Sequence, residues 1–176
     1  MLSWGGILAL GMIAINLLNH YVLPSEAMGW KNVLDIVGLI LALFCIYRAI
    51  YAYRSLQEEG SPFAALQGIK VSLATLLVYA ALFFVYSLIF YNFVNKTFVE
   101  DYKRQRIEYV WQSDLPQEQK EQSIQTIESI NTTSYAITNL TQRLIFPIMG
   151  MLFIVAFMQR KPKRAVELRN NENQQS

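Results

Sequence analysis

The chain has 176 residues, 53% of them hydrophobic, with 15 basic and 13 acidic residues, a formal net charge of +2, one cysteine and one histidine. Cys45 alone excludes an intrachain disulfide or a cysteine-based zinc site, and His20 alone excludes a histidine-cluster metal centre. Charge is absent from Met1–Ser25, Ile36–Tyr47, Val71–Asn95 and Leu144–Gln159, whereas a soluble domain spreads about 25% charged residues along its length, so a soluble globular domain is excluded as well.

Alternation between charge-free and charged stretches is the pattern of a chain that crosses a bilayer several times. The first span is read at about residues 3–23, stopped by Pro24 and Ser25. It lacks the basic start of a signal peptide, and its apolar run is longer than the core of one, so it is taken as a span that is kept. A short turn follows, Pro24–Asn32, carrying Trp30 as an interfacial anchor. The second span, about 33–51, has Asp35 near its start and Arg48 near its end. Gly60 stops this helix, and Ser61 before Pro62 reads as an N-cap followed by proline at the first helical position.

The third span, about 71–93, is free of charge and carries an aromatic stripe, Tyr79, Phe83, Tyr86 and Phe90, at helical spacing. Such a stripe is a packing or lipid-facing ridge before it is a cofactor site. The fourth span, about 144–158, is short for a crossing of ~17–25 residues. It gains length from the uncharged Ser134–Gln142, with Arg143 snorkelling outward from just inside the interface. Pro147 cannot donate to the carbonyl of Arg143 and is expected to kink this helix.

Between spans three and four lies the sizeable polar region, 96–143. Thr97–Gln112 reads as a helix with Phe98, Tyr102 and Tyr109 on one face. Ser113-Asp114-Leu115-Pro116 breaks it, and a second helix carries Ile124, Ile127 and Ile130. Two readings stand: a bent continuation of the flanking spans into a helical hairpin, or an interfacial or partner-binding cap. The end of the chain, 161–176, reads as a basic segment grading into a disordered cytoplasmic tail.

Four spans place both ends of residues 1–160 on one side. Arg48, Arg54 and Lys70 with five basic residues of the tail face seven on the other side, among them Arg143. The Arg160-Lys161-Pro162-Lys163-Arg164 cluster abuts a helix end, where the positive-inside rule weighs most, and assigns both termini to the cytoplasm.

Several stretches resemble a bacterial four-span membrane family, common in Bacteroidota, catalogued as a domain of unknown function. Gly60-Ser61-Pro62-Phe63 looks like its Gly-x-x-Phe entrance to the third helix. Phe93-Val94-Asn95-Lys96-Thr97-Phe98-Val99-Glu100 is similar to its segment closing the third span, with Asn95 and Lys96 in place of an Asp-Pro. Leu115-Pro116-Gln117-Glu118-Gln119 followed by Ile124–Ile130 resembles its turn and Glu/Gln-rich helix, and Gly150 with Arg160-Lys161-Pro162 its ending. The resemblance implies four helices and carries over no activity.

Candidate residues follow from depth and spacing. His20 ends the first helix and Asp35 starts the second, at one membrane face, where a His–Asp pair relays protons or senses pH; the structural alternative pairs Asp35 with Lys31 along the helix. Gly5 with Ala9 and Gly38 with Ala42 are small-xxx-small pairs expected to join helices one and two. Arg48, Arg54 and Lys70 ring the opposite face as anchors and topology determinants, or as an anionic-lipid site. Asn16, Ser72, Thr75, Ser87 and Asn92 supply interhelical hydrogen bonds. No catalytic, cofactor-binding or metal-ligating set is read, and no basic stripe for nucleic acid. The expectation is an all-α integral membrane four-helix bundle with a helical extramembrane extension between helices three and four. Its partners are membrane lipids and either a second copy or another membrane protein. Its role is non-enzymatic accessory, structural or partner-binding work, with a small oligomeric transporter or channel subunit as the alternative.

Overall fold

The computed structural model describes residues 2–21, 28–56 and 64–159. The expectations at Pro24–Glu26 and Gly60–Pro62, and those for Arg160, Lys161 and the rest of the tail, lie outside these residues. The described chain is all-α. Its helices are α1 (Leu2–Tyr21), α2 (Met28–Arg54), α3 (Ala65–Ile89), α4 (Phe98–Gln112), α5 (Gln117–Glu128) and α6 (Thr132–Met158). Three stretches are long and apolar enough to cross a membrane: Asn32–Arg54, Ala65–Val94 and Thr132–Met158.

The helices extend further than charge alone marks out. Trp30, expected in a turn, lies in the first turn of α2. Nothing from Met28 to Asn32 forbids helix: there is no proline, and a single Gly29 is tolerated at about 1 kcal/mol. At its far end α3 widens into a π-turn, Phe90–Val94, closed by the Asn95 N–H donating to the Phe90 carbonyl at 2.8 Å. Phe90 and Tyr91 are both buried within that turn. α6 continues without interruption through Arg143 and a buried Pro147.

Two compact units divide the chain, Met1–Ala80 with Leu144–Ser176 and Ala81–Arg143. In the first, α1 packs on α2. Trp4 meets Phe44 edge-on at 6.4 Å between ring centroids, Gly11 faces Leu41, and Gly38 faces Met12 and Ile15. Contact positions fall along one helix as they rise along the other, so α1 and α2 run antiparallel. Gly150 of α6 faces Leu43 of α2, and the Arg54 guanidinium donates to the Met158 carbonyl at 2.8 Å. Positions there rise together, so α2 and α6 run parallel. Leu8, Ile46 and Ile50, with Leu76 of α3 and Met151 of α6, are buried in this unit.

Gly5 departs from its expected role. A Cβ built on it would stand 2.7 Å from the Thr75 carbonyl oxygen and 2.7 Å from the Val78 Cβ. Its partner is therefore α3, not α2, while Gly38 is the small residue that α2 presents to α1. Ala9 and Ala42 are both buried.

Ser72, Thr75, Ser87 and Asn92, expected to bond between helices, do not do so through the bonds they donate. Ser72 donates to the Gly68 carbonyl at 2.8 Å, Thr75 to Val71 at 2.9 Å, Ser87 to Phe83 at 2.8 Å and Asn92 to Leu88 at 2.8 Å. Each bond stays within its own helix. A short hydroxyl in an apolar helix has the i−4 carbonyl permanently within reach, and that local partner wins over one across an interface.

Gly5 and Gly6 provide a paired test. Around Gly6 nothing lies within 4 Å of an added Cβ. Gly5→Ala is expected to destabilise by about 1–3 kcal/mol through overpacking against backbone. Gly6→Ala is expected to be neutral or to stabilise by up to about 1 kcal/mol through helix propensity. Thermal unfolding of the two variants in detergent reads the difference.

Candidate functional site

The second unit is organised by aromatic residues that the sequence places at the ends of three helices. Tyr91 stacks on Phe98 at 4.9 Å, and Tyr135 of α6 meets Tyr91, Phe98 and Tyr102 at 5.2, 5.4 and 5.0 Å. Tyr135 thus touches three rings and joins the end of α3, the start of α4 and the start of α6. The Arg106 guanidinium lies 5.4 Å above the Tyr102 ring. Acidic Glu100 and Asp101 sit in the first turn of α4, where the helix dipole favours them. Lys103 pairs with Glu100 at 3.0 Å.

Beyond this cluster α4 and α5 form a hairpin of their own. The Ser113 hydroxyl donates to the Val110 carbonyl at 2.6 Å as α4 ends. Across the break at Asp114-Leu115-Pro116, the Lys120 ammonium donates to the Trp111 carbonyl at 3.1 Å. At the other end of α5 the chain enters α6 through a reciprocal cap. The Ser134 N–H donates to Asn131 Oδ1 at 2.8 Å and the Asn131 N–H to Ser134 Oγ at 2.9 Å. This is capping-box logic, and Asn-x-x-Ser ahead of an apolar helix is the signal that would have located it.

Little of the hairpin is covered. Val99 is the buried residue of α4, and α5 has none. Ile124, Ile127 and Ile130 are half-buried. Tyr109, on the same face of α4 as Phe98 and Tyr102, lies past the aromatic cluster and is 69% exposed; Trp111 is 52% exposed, and Leu115 at the turn is exposed too. Two large aromatics and a leucine therefore stand open at the hairpin tip, outside the stretches suited to a membrane crossing.

The other candidate residues lie outside this ring cluster. Asp35 is exposed on α2, and His20 is half-buried in the last turn of α1, edge-on to Tyr21 at 5.0 Å. The Lys31 side chain lies outside the described residues. Arg143 is half-buried rather than extended to solvent: its Nε donates to Asn139 Oδ1 at 3.0 Å, and its guanidinium lies 5.5 Å above the Phe83 ring. Arg54 serves the end of α6 as a cation placed on a helix C-terminal carbonyl, a favourable position with respect to the dipole. Lys70 is exposed on α3, and Arg48 is exposed on α2 beneath two aromatic rings.

Tyr135 is the residue on which the ring cluster turns. Removing its three ring contacts with Tyr135→Ala is expected to cost about 2 kcal/mol or more, at ~0.5–1.5 kcal/mol per aromatic pair. The loss should appear in hydrogen exchange as reduced amide protection in α4 with α1 unchanged, and Tyr135→Phe should retain most of it.

Comparison with known proteins supplies the remaining fact. No curated protein and no solved structure matches the chain. Residues 3–160 match the family described as Protein of unknown function (DUF4199), and the chain belongs to that family.

Proposed function

We propose that this chain is a four-span integral protein of the bacterial inner membrane, of the kind common in Bacteroidota, with both termini cytoplasmic and the α4–α5 hairpin on the opposite side. In this reading α1 is the fourth crossing beside the three stretches already long and apolar enough. Large apolar side chains facing outward support it: Leu10 is 69%, Leu77 71% and Phe153 75% exposed. A soluble chain rarely leaves so many large apolar side chains exposed along its helices. The antiparallel α1–α2 pair and the parallel course of α2 and α6 suit an up-and-down chain with an even number of crossings.

Its role is non-enzymatic: an accessory or structural protein that binds a membrane-protein partner, or a second copy of itself, through the hairpin. The observation that carries this is the open Tyr109–Trp111–Leu115 tip on a hairpin with almost no buried residues of its own. Exposed aromatics at the centre of a patch are the residues from which binding hot spots are built.

Topology and role are tested separately. In a Cys45→Ala background, Asp114→Cys is expected to react with an impermeant maleimide on intact cells, and Ser55→Cys only after permeabilisation; the reverse pattern inverts the assignment. A photoreactive residue at position 111 is expected to form a discrete protein adduct in native membranes, weakened by Tyr109→Glu at unchanged helicity. Adducts with lipid alone, or solute flux in liposomes reconstituted with the chain, would overturn the binding role.

A further inference from the structure

Arg48 occupies an unusual position for a charged residue. It lies six residues before the end of α2, about 9 Å along the axis at 1.5 Å per residue, within a stretch long and apolar enough to cross a membrane. Its guanidinium carbon stands 5.4 Å from the Trp4 ring centroid and 5.8 Å from that of Tyr51. Trp4 is itself held edge-on by Phe44, and Tyr51 stacks on Tyr47 at 6.2 Å. The guanidinium therefore lies against two ring faces, Trp4 of α1 and Tyr51 one turn further along α2, while the residue itself stays exposed.

Ring faces attract the charge of a guanidinium but leave its hydrogen-bonding capacity unfilled. Arginine carries five N–H donors in a planar fork that suits the oxygens of a phosphate. Among the described residues no carboxylate pairs with Arg48. Arg54, one and a half turns further on, is already engaged by the Met158 carbonyl. A second cation stands at the same end: Gly5, beside Trp4, abuts Thr75, so the exposed Lys70 lies five residues nearer the start of α3.

From this arrangement we infer that Arg48, clamped by Trp4 and Tyr51, is the headgroup site for an anionic phospholipid. The guanidinium donates to the phosphodiester oxygens while the lipid chains lie along the exposed apolar face of α2, which includes Ile40 and Phe44. The site lies at the opposite end of the α1–α2 pair from His20 and Asp35, and it does not depend on the hairpin. It rests on the membrane reading, which recovery of the wild-type chain in the membrane fraction tests independently.

The test uses the full chain in neutral detergent, titrated with phosphatidylglycerol, phosphatidylcholine or inorganic phosphate and followed by thermal shift. Phosphatidylglycerol is expected to raise the midpoint with saturation, phosphatidylcholine to act more weakly and inorganic phosphate to have no effect. Arg48→Gln is expected to weaken the phosphatidylglycerol response about tenfold, the loss of one charge-assisted contact. Arg106→Gln, which removes a guanidinium from a similar ring contact on α4, should leave it unchanged. Arg48→Lys keeps the charge without the fork and folds under the same packing; it is expected to fall between wild type and Arg48→Gln. Full phosphatidylglycerol response in both Arg48 variants overturns the site, and a saturating response to inorganic phosphate alone overturns its assignment to a lipid.

Discussion

Gly5 sits where a methyl group would stand 2.7 Å from a backbone carbonyl oxygen of α3. Close approach of this kind, with the Arg54 bond from α2 to the end of α6, is what ties the helices of the first unit to one another. The hydroxyls of Ser72 and Thr75 are bonded to carbonyls of their own helix, so those bonds add nothing across an interface. In an apolar surrounding there is also no solvent-driven gain from pressing one leucine against another, and helices associate through dispersion contacts between closely fitted surfaces. Gly5 against Thr75 and Val78, and Gly38 against Met12 and Ile15, bring the backbones near enough for such contacts to sum.

The same dependence on close approach sets what the residues alone disclose. Charge-free windows locate α1, α2, α3 and α6 because apolar length is a property of one segment alone. Pro116 after Asp114-Leu115 marks the break between α4 and α5 for the same local reason. Partner choice is different in kind. A glycine four residues from an alanine says that some backbone will come close, but not which one, and Gly5 went to α3 while its spacing fitted α2 equally well. Thr75 likewise could have bonded across or within; only the geometry of its own helix, with the Val71 carbonyl at 2.9 Å, decides. Helix ends were missed where no breaker stands near them, as at Trp30 in α2. The Asn131–Ser134 cap was legible in principle, since both residues and their spacing are in the sequence.

The basic residues show how similar letters take different work. Arg54, Arg48 and Arg143 are all arginines near helix ends or in apolar surroundings. One caps the carbonyl end of α6, one lies between aromatic rings and one folds back on Asn139 over Phe83. Counting them for topology treats them as equal charges, and that count is nearly balanced between the two sides of the proposed membrane. Their contacts break the tie in meaning if not in number: a guanidinium whose donors are used internally is part of the helix packing, whereas one held on ring faces still has donors to offer.

Function must be sought where the chain leaves something uncovered. In the first unit, small residues and back-bonded hydroxyls produce surfaces fitted to one another, and the outward faces are largely apolar, with Asp35, Arg48 and Lys70 as exposed charges. The second unit is anchored by Tyr135 to three rings, then extends into a hairpin whose α5 buries no residue. A helix with no buried residue gains little from its own fold, and Tyr109 and Trp111 of α4, at the hairpin tip, expose ring surface that would cost less if covered. An aromatic base with an uncovered tip is the arrangement on which the proposed binding role rests.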